Sequence, residues 1–396
     1  LFRSSFYISF TKMKSFISCG KIELKYFFYC FCIFIIHSYM YCLIFKDENN
    51  IINKHDLLHS FCYFFGYLLN IIPAWITHIK LNTKERLTLD KIKEENTKSI
   101  EYIYTEPYEK TLSKKDILYI FFLCLILLLQ ELVQITLSII CNYQKKNDDK
   151  LNKYDDDIII IEYLILFFVP KYGKEVYYKH QNISFLILIL IEAIKTIYFF
   201  NKEISNQNLT MIRIFLIIIN SILLAIYYLS IKRLMKYNFI SPEKSNFMIG
   251  IINLPIIIIL YIIISFTILG KKDEKNNYYV DNIFELFNSI VKIDIIDIVL
   301  LTSIPFVYGA FVFILNKIIN DYSIYHLYIP FLIEDFVNYI ENYFDKLGII
   351  PLISIFSIEL LMILVFLEII EINFCGLNEN LKRNIESRGI IDSSLA

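Results

Sequence analysis

Ionisable and amide side chains placed inside long apolar runs are the residues of this chain with chemistry to perform. The run Asp116–Asn142 is interrupted by Gln130, Glu131 and Gln134; Gln130 and Gln134 are i,i+4 and share a helix face, with Glu131 beside them. Glu192 and Lys195 stand i,i+3 in Ile183–Phe200. At that spacing they can neutralise each other, or Lys195 can leave Glu192 to meet an anionic ligand. Asn220 and Asn253 put carboxamides in two further runs, Asn253 beside Pro255, whose ring leaves a backbone carbonyl free. Glu334, Asn338 and Glu341 fall on one face of Ile324–Phe344, next to Asp335, while Glu162 and Glu359 are carboxyls in apolar surroundings.

A charge at the centre of a bilayer costs about 2.5–3.5 kcal/mol, so it is expected to face a cavity or a partner. Gln130, Glu131, Gln134, Lys195, Asn220, Asn253, Glu334 and Asn338 are therefore candidate substrate-binding groups, and Glu162, Glu192 and Glu359 candidate coupling carboxyls. Plainer readings stand beside these. They are interhelical hydrogen bonds worth about 0.6 kcal/mol each, a self-neutralised Glu–Lys pair, an interfacial amphipathic helix for 324–344, and a neutral acid at Glu359. Arg213, one turn inside its helix, is expected to snorkel to the interface.

Enzyme chemistry finds no support. Gly-x-Ser-x-Gly, His-Glu-x-x-His, P-loop and Gly-x-Gly-x-x-Gly runs are missing. The Tyr-Asp pair of a membrane aspartyl protease occurs at Tyr154-Asp155, but in a charged loop and without Gly-x-Gly-Asp. The eight cysteines show neither Cys-x-x-Cys nor zinc-type Cys/His spacing, and no outer loop holds a pair for a disulfide. No enzymatic activity, cofactor or metal is expected. Net charge is −1, so no basic excess points to nucleic acid.

The elements that must position these groups are long apolar helices. Of 396 residues, 56% are hydrophobic and 16% aromatic, with only nine Gly and eight Pro. Such a composition excludes collagenous and disordered chains and is too apolar for a soluble enzyme. About 20 apolar residues cross a hydrocarbon core of about 30 Å. By that ruler the spans are Tyr26–Phe45, Leu58–Ile79, Asp116–Asn142, Ile158–Gly173, Ile183–Phe200, Leu209–Ser230, Asn246–Gly270, Ile295–Ile318, Ile324–Phe344 and Gly348–Glu371. If 324–344 lies on the membrane instead, the spans number nine. Tyr26, Tyr41, Tyr143, Tyr227 and Tyr343, near span ends, read as interfacial aromatic belts. Lys and Arg are in excess on the side of the loop Lys80–Lys115, which puts both termini in the cytoplasm. Met13 offers an initiation site, so residues 1–12 are set aside.

The spans divide into two sets of five around the short link 201–208. An odd number inverts the second set relative to the first, the plan of many secondary transporters with a mid-membrane site between halves. Segments 1–25 and 372–396 are then cytoplasmic ends, and 26–200 and 209–371 the two repeats.

Several stretches resemble one known family. Ser221–Phe266 contains a basic turn, Lys232-x-Leu234-Met235 followed by Ile240-Ser241-Pro242, with Gly250 early in the next helix. It is similar to the sixth and seventh helices of the drug/metabolite transporter superfamily, which includes the EamA-like and nucleotide-sugar-transporter-like proteins. Glu162–Leu190 resembles that family's fourth helix, tight basic loop and fifth helix; Ile100–Pro107 and Glu368–Arg388 resemble protist members. The chain departs from the better-known members in its scarcity of small residues, which argues against close helix crossings. The resemblance implies an all-α polytopic membrane bundle of two inverted five-helix repeats. It also implies a secondary transporter of a small polar or anionic metabolite working by alternating access. The alternative is a non-transporting membrane scaffold or chaperone that keeps the transporter fold. Expected partners are the lipid bilayer, a small-molecule substrate and, as a further option, a second copy in a homodimer. The expected location is an endomembrane or the plasma membrane of a eukaryote.

Overall fold

The computed structural model describes residues 17–19, 24–40, 56–83, 112–147, 165, 168, 179–200, 207–237, 240–267, 282–291, 295–330, 332 and 349–372. In chain order the described elements are β1 (Ile17–Cys19), α1 (Leu24–Met40), α2 (Asp56–Leu69), α3 (Ile71–Thr83), α4 (Lys114–Asn147) and α5 (Lys179–Phe200). There follow α6 (Gln207–Tyr237), α7 (Pro242–Phe266), α8 (Ile283–Val291), α9 (Ile295–Asp321), a 3₁₀ turn (Ile324–Leu327), α10 (Ile349–Phe366) and β2 (Ile370–Ile372). Five segments are long and apolar enough to cross a membrane: Leu58–Thr77, Lys114–Leu137, Met211–Met235, Pro242–Phe266 and Leu301–Asp321. The chain is an all-helical integral membrane protein, apart from one short strand pair in the described residues. Of the expected spans, 158–173 and most of 324–344 lie outside the described residues.

Helix ends follow their local chemistry. Ser241 caps α7: its extended backbone lets the hydroxyl accept from the Lys244 N–H at 3.3 Å, with Pro242 at the first helical position and Glu243 in the first turn. Ser113 and Asp116 form a reciprocal box at the start of α4. The Asp116 carboxylate accepts from the Ser113 N–H at 2.8 Å, and the Asp116 N–H donates to the Ser113 hydroxyl at 3.3 Å. The second expected span is broken at Asn70 into α2 and α3.

Two compact units form, each from separate stretches of chain. The first comprises Leu1–Cys30, Lys153–Asn208 and Tyr328–Ala396; the second comprises Phe31–Asn152 and Leu209–Leu327. In the first, α5 packs on α10. The last expected span ends at Phe366 rather than Glu371 because the backbone turns left-handed at Glu368, φ 57°. The Ile369 N–H bonds the Leu364 carbonyl at 3.0 Å and the Glu368 N–H the Val365 carbonyl at 3.1 Å, the pairing of a Schellman stop. β2 then pairs antiparallel with β1, Ser18 opposite Glu371.

Glycine normally occupies such a left-handed stop. Glu368 stays there while its carboxylate sits 3.2 Å from Nε2 of buried His180. A left-handed L-residue costs about 1–2 kcal/mol, and a hydrogen bond to a charged group returns about 1.5–3 kcal/mol. Glu368→Gly is therefore expected to leave thermal stability within a few degrees of wild type or slightly below it, despite removing the strain. A rise of more than a few degrees in Tm would show that the His180 contact contributes nothing.

In the second unit α2 lies against both α7 and α9, and α7 also packs on α4. The closeness of α2 to its neighbours depends on three glycines. A Cβ on Gly66 would stand 2.7 Å from the Gly309 nitrogen and 2.8 Å from the Pro305 carbonyl oxygen. A Cβ on Gly309 would meet the Gly66 oxygen at 2.8 Å, and one on Gly250 would meet Leu68 Cα at 2.7 Å and the Tyr67 carbonyl carbon at 2.8 Å. Close crossings thus exist despite the scarcity of small residues, because the few glycines stand where backbones meet.

Candidate functional site

The second unit has a polar interior. Glu131 on α4 is 8% exposed and faces α2, where the Ser60 hydroxyl donates to its carboxylate. Ser60 has one proton, so the Tyr261 hydroxyl of α7, 3.2 Å from Ser60 Oγ, is the donor in that contact. The chain of donation therefore runs Tyr261 to Ser60 to Glu131 and ends on the acid. One position back on α2, His59 bonds the Tyr308 hydroxyl of α9, their rings edge-on at 5.4 Å between centroids.

Further along α2, the Tyr63 and Tyr67 hydroxyls are 3.2 Å apart, and Tyr67 reaches Tyr227 of α6 at 3.1 Å. Tyr227 also bonds the Asn316 side chain, and the Asn316 amide donates to Asn246 Oδ1. One turn before Asn246, Glu243 pairs with Lys317 at 2.8 Å. Asn70 sits where α2 breaks, and its amide donates to the Gly66 carbonyl at 3.1 Å and the Gly309 carbonyl at 3.3 Å, tying the break to α9.

Asn253 has the polar group in greatest need of a partner. It is fully buried, and neither Oδ1 nor Nδ2 has a hydrogen-bond partner among the described residues. Leaving one such buried group unmatched costs about 1–3 kcal/mol. Asn246, Asn253 and Tyr261 all lie buried on α7 at helical spacing. Asn220 Oδ1 on α6 and Gln130 Oε1 on α4 are likewise buried without partners among the described residues.

Of the candidates named from sequence, the structure brings Glu131, Gln130, Asn220 and Asn253 into one unit. Gln134 is exposed on the surface of α4. Lys195 and Glu192 lie on α5 in the first unit, but their side chains, like all of Glu162, Glu334 and Asn338, are outside the described residues. Glu359 is buried on α10, also in the first unit. Among the described residues no cluster of three or more metal-ligating side chains occurs.

Three sequence readings are corrected. Tyr227 is not an interfacial belt residue but 2% exposed, held inside by its bond to Tyr67. Tyr26, read the same way, is 1% exposed in the first unit. Arg213 is buried rather than extended to the interface. Sequence reasoning also passed over His59, Ser60, Tyr63, Tyr67 and Asn70, whose i,i+3 and i,i+4 spacing draws a polar stripe down α2.

Compared with models of known protein families and with curated protein sequences, the chain matches none.

Proposed function

We propose that this protein is a secondary carrier that moves a small polar or anionic metabolite by alternating access, without nucleotide hydrolysis. The observation that supports this most is Glu131, a carboxyl held inside a cluster of membrane-crossing helices at the end of a chain of donors. Burying it against lipid-facing helices for packing alone is costly, whereas a carrier needs a polar group at that depth. The unmatched Asn253 amide fits a site whose partner arrives with the substrate. The wider plan we favour is ten spans in two inverted repeats with cytoplasmic termini, as in the drug/metabolite transporters.

Two measurements test this. Purified protein in proteoliposomes should accumulate at least one member of a metabolite panel, and accumulation of none would sink the carrier. Lys146→Cys and Lys382→Cys should react with an impermeant thiol reagent from opposite faces of the membrane; labelling from one face rules out the even-span plan. An anionic substrate further requires a cation in the pathway. Lys195→Met should then abolish uptake of that anion with expression unchanged, and undiminished uptake would remove Lys195 from the site.

The scaffold reading has one observation of its own. Asn246–Asn316 and Glu243–Lys317 are paired across helices as a purely structural glue would be. The partnerless amide of Asn253 is what such a scaffold leaves unexplained.

A further inference from the structure

Packing alone would be served by phenylalanine or leucine at positions 63, 67 and 227, with no hydroxyl to desolvate. The chain instead lines up three phenols in direct contact, at 3.2 and 3.1 Å, inside a membrane-embedded helix cluster. A phenol donates and accepts at one oxygen, so a row of them can pass a proton along without any member changing composition. One end of the row is anchored by Asn316 and Asn246, next to the Glu243–Lys317 pair. At the other end Tyr63 lies within the electrostatic reach of Glu131 and one helical turn from Ser60. The groups around Glu131 are Ser60, His59 and Tyr63 from α2, Tyr261 from α7 and Tyr308 from α9, whose ring meets Tyr63 edge-on at 5.5 Å.

We infer that Tyr227, Tyr67 and Tyr63 form a proton-transfer file and that Glu131 is its terminal acceptor, making the proton the ion coupled to transport. The inference rests on the carrier reading of the same unit. A proton from solvent bonds to the Tyr227 oxygen as the Tyr227 O–H proton passes to Tyr67. Tyr67 passes its own to Tyr63, and Tyr63 passes its own through a bridging water to the Glu131 carboxylate. Each O–H bond broken is matched by one formed, no electrons change hands, and the carboxylate ends as a carboxylic acid. The phenols return to their starting composition and reset by rotating their O–H bonds.

The test is time-resolved infrared difference spectroscopy on the purified full chain in lipid after a jump to lower pH. Wild type should show a carboxylic-acid C=O band, and Glu131→Gln should remove it. Tyr67→Phe keeps the ring and its packing but deletes the middle hydroxyl, so the band should form more slowly by about tenfold or more. Tyr227→Phe, which cuts the other joint, should do the same. Tyr39→Phe is the control, since the Tyr39 hydroxyl meets Ser303 at 3.0 Å outside the file. Unchanged kinetics in both file variants, with wild-type melting curves, would make the phenols structural and overturn the inference. So would survival of the band in Glu131→Gln. If the panel finds no substrate while the band and its slowing persist, the carrier reading falls and the proton file stands. Uptake driven by a sodium gradient with no Glu131 band would leave the carrier and end the file.

Discussion

Gly250→Leu is expected to leave almost no monodisperse protein on size-exclusion chromatography, where Ile259→Ala yields wild-type amounts. Even the first carbon of a side chain at position 250 would stand 2.7 Å from Leu68 Cα and 2.8 Å from the Tyr67 carbonyl carbon. Both obstacles are backbone, inside a helix that also contacts α9, so neither can rotate aside as a side chain would. Overpacking against yielding side chains costs about 1–3 kcal/mol. Here whole helices must separate, and the cost should exceed about 3 kcal/mol from a total stability of about 5–15 kcal/mol. Gly250→Ala meets the same contacts with its Cβ and should fail in the same direction by a smaller margin. Ile259 is more than half exposed on the same helix, so trimming it removes little buried contact. Normal yield and melting for Gly250→Leu would mean that α7 and α2 do not meet at this crossing.

Glu131→Gln is expected to fold and to fail. The substituted amide keeps the shape of the side chain, and its oxygen still accepts from Ser60, so thermal unfolding in detergent should shift by no more than a few degrees. What disappears is the capacity to hold a charge or take up a proton. Uptake of any metabolite that the wild type accumulates should fall by about 100-fold or more. Glu131→Leu separates the two roles: it also strands the Ser60 hydroxyl, adding a stability loss of about 1 kcal/mol. Wild-type uptake in Glu131→Gln would assign the acid to helix packing alone.

The membrane character of the chain was legible from its apolar runs, and α4, α5, α6, α7 and α9 fall on expected spans within a few residues. Glu131 and Asn253 were legible as polar groups inside those runs. The site around them was not, for a physical reason. Tyrosine counts as apolar in a span and as interfacial near its end, so periodicity cannot tell a belt from a buried hydroxyl. Only the meeting of Tyr67 with Tyr227, 160 positions apart in sequence, decides it. The break at Asn70 escaped notice because Ile71 and Ile72 continue the apolar run across it. Its cause is a side-chain amide that spends its hydrogen bonds on Gly66 and on a second helix. The left-handed Glu368 was hidden because glycine, the usual mark of such a stop, is not there.

Gly66, Gly250 and Gly309 weld α2, α7 and α9 into one mechanical piece, since backbones touching at that distance cannot slide past flanking Phe, Tyr and Leu side chains. Any stroke that turns the acid from one aqueous face to the other must then be made by a helix outside the weld. Among the described helices of this unit, α6 is joined to α2 through the tip of Tyr227. A swing of α6 by even one hydroxyl diameter parts Tyr227 from Tyr67, and the row of phenols opens at its middle joint. The moving part would thus also be the breaker in the circuit, so that protons pass in one posture of the protein and are insulated from the gradient in the other.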